Sequence, residues 1–169
     1  MKKIGIILVG LIFLFGFMPV EIAETDVAVT GTFTPTPSGV SISCNNTSPI
    51  FGAINLGGNG IVGAINVSND GDVNCSVTMQ AEDGAGTWTL VAGTSSPATT
   101  NEYCLNVNPA DMGYVDAYSE QTISSDLPPS GAGQNYTYFH LKLYVSQYTD
   151  EGTPSQQTLY SNLTASSLT

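Results

Sequence analysis

The chain has 169 residues, a formal net charge of −11 and only three basic residues, Lys2, Lys3 and Lys142. Without a cationic surface it cannot neutralise phosphates, which excludes nucleic acid as a partner, and an anionic membrane surface would repel it. By length it is one domain once the N-terminus is set aside, and its surface is drawn from Ser, Thr, Asn and Gly in place of charges, as in secreted β-proteins.

In chain order, Lys2 and Lys3 precede an apolar run from Ile4 to Val20, broken only by glycines and Pro19. This predicts a hydrophobic leader helix over residues 1–23, read first as a signal peptide, with Ala23 as the small residue of the cleavage context and Glu21 against the usual preference. The run is also long enough to serve as a retained anchor or pilin-type leader. Either way the rest of the chain is expected outside the cytoplasm, secreted or at the cell surface, with membrane contact only through this segment if it is kept. Residues 24–39 form an N-terminal strand and a Pro/Thr linker. Val27, Val29, Gly31 and Phe33 share one face of the strand, and Pro35-Thr36-Pro37-Ser38-Gly39 ends it.

The main domain is expected over 40–169. Val40, Ile42 and Cys44 share a face. Pro49 to Leu56 leads into the turn Gly57-Gly58-Asn59-Gly60, and a strand follows to Ser68 with Ile61, Ile65 and Val67 inward. Asn69-Asp70-Gly71-Asp72 reads as a hairpin turn, since Asn and Gly accept positive φ at little cost. Val73, Cys75, Val77 and Met79 alternate with polar residues in the next strand. Thr87–Val91 and Glu102–Val107 are short strands, and 114–123 fits a loop or an edge strand equally. Leu127-Pro128-Pro129-Ser130-Gly131 is a rigid connection into the most regular stretch of all, 136–145. There Thr137, Phe139, Leu141, Leu143 and Val145 alternate with Tyr136, Tyr138, His140, Lys142 and Tyr144. Apolar residues at every second position would ring a helix, so this is a half-buried strand. A closing strand turns Leu159, Ser161, Leu163 and Ala165 inward. Short strands with regular turns and no helical periodicity after the leader give an antiparallel β-sandwich of about seven to nine strands.

Four motifs resemble, in order, those of immunoglobulin-like surface modules of the abnormal-spindle-like type and their prokaryotic relatives. They are Phe51-Gly52-Ala53-Ile54-Asn55-Leu56-Gly57-Gly58, then Val67-Ser68-Asn69-Asp70-Gly71, then Leu127-Pro128-Pro129-Ser130-Gly131 with the alternation ending at Val145, and finally Gly152 with the closing strand. The resemblance covers residues 40–166 and implies an immunoglobulin-like or jelly-roll-like sandwich in a non-catalytic part of an envelope, filament or adhesin. The cysteines and the segment around Tyr114 depart from the family pattern.

The candidate chemistry is sparse. A secreted chain permits disulfides, and parity favours Cys44–Cys75 as the pair, with Cys75–Cys104 as the alternative and three free thiols as the remaining case. Cys104 alternates with Tyr103, Leu105 and Val107, so it points away from their face. His140, the sole histidine, reads as an exposed strand residue, because no nucleophile and orienting carboxylate stand at recognisable spacing. No catalytic residue, cofactor or metal is expected. Asp70-Gly71-Asp72 has the alternate oxygens of a calcium loop but Cys75 and Ala81 where that loop needs glycine and an acid. Sequons at Asn45, Asn46, Asn66, Asn74, Asn135 and Asn162 are glycosylation candidates.

Two functional expectations follow. The first is a non-catalytic structural subunit of a surface filament, pilus or envelope layer, assembling with copies of itself or other surface proteins through β-strand contacts. The strand Val27, Val29, Gly31, Phe33 would then act as a donor to a neighbour's sheet. The second is an adhesin or carbohydrate-binding module that presents Tyr136, Tyr138, His140 and Tyr144 to glycans or a protein partner.

Overall fold

A computed structural model describes residues 39–152 and 156–168, which contain nine strands and no helix. The leader and the strand 27–34 lie outside the described residues. No helix among the described residues is long and apolar enough to cross a membrane.

The strands form two sheets. The larger has the order β1(Ile42–Cys44), β2(Asn59–Asn69), β8(Tyr136–Val145), β5(Glu102–Pro109), β4(Thr89–Leu90), with β6(Val115–Asp116) also alongside β5. The smaller has the order β7(Gln121–Leu127), β3(Cys75–Glu82), β9(Tyr160–Ser167). All pairs are antiparallel except the two-residue β4–β5 contact. The fold is therefore an all-β, sandwich-like structure.

The period-two strand is the centre of the larger sheet. β8 begins at Tyr136, ends at Val145, and is flanked by β2 and β5. Its odd face supplies Phe139 and Leu141 to the core, with Leu143 and Val145 partly buried against it. Ile65, Val67, Leu105 and Val107 extend that surface, and Val77, Met79, Ile123 and Leu127 meet it from the smaller sheet. Each such side chain contributes about 1.5–3 kcal/mol by leaving water.

Two sequence expectations are corrected. In β2 the register with β8 shifts between Val62 and Ile65, so the parity reverses across Gly63 and Ala64. Val62 packs against the core, whereas Ile61 faces outward opposite Lys142 and is 56% exposed. The turn Asn69–Asp72 is not a hairpin either, because β2 and β3 belong to different sheets. Gly71 is needed there for close approach and not for its φ. A Cβ on it would lie 2.3 Å from the Gly39 carbonyl oxygen.

The crossing is held by Asn69, which is fully buried. Its Nδ2 donates to the carbonyls of Val73 (2.8 Å) and Leu127 (3.0 Å), and its Oδ1 accepts from the Gly71 amide (2.9 Å). Its backbone exchanges bonds with Asn135: the Asn69 amide donates to the Asn135 carbonyl, and Asn135 Nδ2 donates to the Asn69 carbonyl. One side chain thus ties the end of β2 to β3 and β7. The segment after β6 makes a second crossing, where the Ala117 amide donates to Leu105 and its carbonyl accepts from Ala81.

Candidate interaction surfaces

The first surface is the even face of β8. The ladder register places Tyr136 opposite Ser68, Tyr138 opposite Asn66 and Lys142 opposite Ile61 on β2. On the other side His140 faces Asn108, Lys142 faces Asn106 and Tyr144 faces Cys104 on β5. The stripe that period two picked out, Tyr136, Tyr138, His140 and Tyr144, is therefore one continuous line, and most of it is engaged. The β5–β6 loop folds over it. Ala110 and Asp111 both take left-handed backbone conformations (φ 43° and 62°), and Asn108 Oδ1 accepts from the Gly113 amide at 2.7 Å. Tyr138 donates its hydroxyl to Asp111 Oδ2 at 2.8 Å, and His140 Nε2 lies 3.2 Å from Asp111 Oδ1. The two rings meet edge to face at 5.7 Å. The hydrogen bond to Asp111, reinforced by its negative charge, pushes the Tyr138 phenol up. Lys142 Nζ sits 4.7 Å from the Tyr144 ring centre and 5.5 Å from that of Tyr114. Tyr136 and Ile61 remain the exposed part of this face.

Cys104 points away from the core, as its alternation required, yet it is buried. It is covered at Gly93, where a Cβ would lie 3.1 Å from its sulfur. The Gly93 amide donates to Asp116 Oδ2, and its carbonyl accepts from Asn106 Nδ2. Burial first, then Asp116 and Glu102, push the Cys104 thiol up to about 11. The expected Cys44–Cys75 bridge is not formed, nor is Cys75–Cys104: all three thiols are free. Cys44 lies on the edge strand β1 and Cys75 on the central strand of the smaller sheet. Shared inward parity turns both thiols toward the core but does not align the two strands across the sheets, and a bridge needs Cα atoms about 4.4–6.8 Å apart. Cys104 is on the far face of β5.

The sequon residues divide by environment. Asn45, Asn66, Asn74 and Asn162 are exposed, whereas Asn46 and Asn135 are half-buried. Several carry structural bonds. Asn45 Oδ1 accepts from the Asn66 amide, Asn74 Nδ2 donates to Asp126, Asn162 Nδ2 donates to Glu82, and Asn135 belongs to the Asn69 crossing.

The second surface was not legible in the sequence. It is a groove of about 860 Å³ at one end of the sandwich, between the sheets. Phe51 and Ile54 of the β1–β2 loop, Leu143 and Val145 of β8, Trp88, and Leu159 just before β9 line it. Gly60 admits the loop: a Cβ there would lie 2.8 Å from Ile54 Cδ1. The Trp88 indole nitrogen is buried with no hydrogen-bond partner among the described residues. Tyr103, also in the wall, accepts from the Gly84 amide at 3.0 Å.

Beside this groove runs β9, paired with β3 alone among the described residues. Exposed edges invite pairing with other chains, and proteins blunt them with brevity, charge, proline or bulges. The other edges carry such devices. β1 has three residues and β4 two. β7 pairs with register irregularities and holds Asp126. β9 has eight residues with no charge and no proline, in unbroken register with β3. Its sequence, Tyr-Ser-Asn-Leu-Thr-Ala-Ser-Ser, carries that signal, but it becomes readable only once the strand is known to lie at an edge.

No protein-family model matches this sequence, and no curated protein matches it.

Proposed function

We propose that this chain is a non-catalytic extracellular structural protein, a subunit of a surface filament, pilus or envelope layer that assembles through β-strand contacts. The observation that carries the reading is the eight-residue β9, an edge strand without any of the devices that blunt the other edges. The charged leader pattern before residue 23 supports export. The immunoglobulin-like motifs over 40–166 support a sandwich of the kind used in envelopes and filaments, with fold alone as their warrant.

The test is negative-stain electron microscopy of material shed by the producing cell, with mass spectrometry to identify this chain and its mature N-terminus. Fibres or sheets that contain the chain are expected. A mature protein that stays monomeric at high concentration, with its own N-terminal strand docked in its own sheet, refutes the reading. The alternative, an adhesin or carbohydrate-binding module, is favoured only by the exposure of Tyr136, at 49%, beside Ile61. A glycan array on which Tyr136→Ala removes the signal would establish it.

A further inference from the structure

If the chain is an assembly subunit, the structure also contains a place for a partner strand and sets its polarity. Sheets of a sandwich cover each other's inner faces. Here five strands along the path of the larger sheet face three in the smaller. The uncovered remainder is the groove lined by Phe51, Ile54, Trp88, Leu143, Val145 and Leu159. Leu163 and Ala165 of β9 are only partly buried against the core. Among the described residues no strand pairs with the outer side of β9.

The segment Val27–Thr34 has the properties of a strand for that edge. It is eight residues long, as β9 is. It carries no charge, and Val27, Val29 and Phe33 form one apolar face, with Gly31 between. Pro35 and Pro37 cannot donate to a ladder, so pairing stops where they begin.

The ends of the sandwich fix the direction. The chain enters it at Gly39, whose amide donates to Asp72 Oδ1 at 2.6 Å, beside the β2–β3 crossing. That end holds Tyr136 of β8 and, through the Cys75–Ser167 pair, the end of β9. The groove lies at the other end, with Leu143 and Val145 of β8 and the start of β9, where Tyr160 pairs with Glu82. The ten residues of β8 separate the two ends by about 30 Å. The four linker residues 35–38 span only about 12 Å in polyproline form. A chain pairing with its own β9 would therefore have to run parallel to it from the Ser167 end. In a second copy the segment is free to take the antiparallel course, whose ladder is the more stable per residue.

We infer that the groove and the free edge of β9 receive the segment Val27–Thr34 of a second copy, and that copies join head to tail. The donor's point of attachment at Gly39 and the acceptor groove lie at opposite ends of the sandwich, so the contact is heterologous and propagates as an open filament unless its rotation closes a ring.

The experiment places a photo-crosslinking residue at position 29 of the full mature chain and mixes isotope-labelled with unlabelled copies. Crosslinks between differently labelled chains that map to β9 and the groove residues are expected. Crosslinks confined to one label overturn the second-copy assignment. Mixed-label crosslinks that map elsewhere, such as the even face of β8, overturn the inference and leave the assembly reading standing. Wild-type protein that forms no assembly removes that reading and this one together. Two variants add an independent readout. Phe33→Asp disables the donor and Leu159→Arg the acceptor, and each alone is expected to lower the polymer population at least tenfold. Mixed, they should give a 1:1 dimer that grows no further, since one chain keeps a donor and the other an acceptor. Absence of that dimer, with both variants folded by circular dichroism, overturns the inference.

Discussion

Replacing Asn69 by alanine should cost this protein more than any exposed asparagine, and the structure sets the size. The side chain makes three hydrogen bonds from a fully buried position: two donated, to Val73 and Leu127, and one accepted from Gly71. The substitution takes Nδ2 away from two carbonyls, while the Gly71 amide keeps its bond to the Ser41 carbonyl at 3.1 Å. Each buried carbonyl stranded in this way costs about 1–3 kcal/mol, so the total for the two is roughly 2–6 kcal/mol. Against a typical domain stability of about 5–15 kcal/mol, the variant is expected to be folded but severely weakened. Urea denaturation followed by fluorescence and far-ultraviolet circular dichroism gives the midpoint and slope for wild type, Asn69→Ala and Asn69→Asp. The aspartate keeps the acceptor for Gly71 but sets a carboxylate against two carbonyl oxygens, so it should be the worse of the two. Asn66→Ala, at an exposed position, should change stability by less than about 0.5 kcal/mol. A loss below ~1 kcal/mol in Asn69→Ala would refute the reasoning that this residue ties the two sheets together.

Other outcomes follow from the same structure. Leu141→Ala removes a fully buried side chain from the central strand and should cost about 2–5 kcal/mol in urea denaturation, whereas Leu168→Ala, at an exposed position, should cost little. The raised Cys104 thiol makes folding stability pH-dependent. The neutral thiol is the form the fold favours, so its contribution is complete below the ordinary value of 9.0 and is lost as pH rises through about 11. A melting temperature that falls across that window in wild type and stays flatter in Cys104→Ala is expected. At pH 8 a thiol reagent should modify Cys44 faster than Cys75 or Cys104, read by peptide mass spectrometry, since Cys44 alone is not fully buried. Asp111→Ala should return the Tyr138 phenol toward 10.0, measured by carbon NMR of ring-labelled tyrosine.

What the sequence made legible was local. The alternation over Tyr136–Val145 located β8 residue for residue and assigned its two faces, because burial of one face imposes period two on a strand. The same rule put Cys104 on the opposite face from Leu105 and Val107. The rule says nothing about what covers the second face, so Asp111 over Tyr138 and His140, and Gly93 over Cys104, became visible only in three dimensions. Parity also fails at a bulge; a glycine inside a strand, such as Gly63, often marks one but does not fix where the register shifts, so alternation alone puts Ile61 on the wrong side. Sheet membership was the other hidden quantity. Asn69-Asp70-Gly71-Asp72 has the composition of a hairpin turn, yet the buried side chain of Asn69 ties it into a crossing between layers. The groove depends on how many strands each sheet receives, which no local pattern records.

Hydrogen–deuterium exchange of the β9 amides tests the central claim most directly. In the Phe33→Asp protein, held monomeric, the outward amides of Tyr160–Ser167 should exchange within seconds, as unpaired edge groups do. In wild-type assemblies the same amides should be protected at least a hundredfold. Equal exchange in the two states would contradict the claim that this edge is where subunits meet.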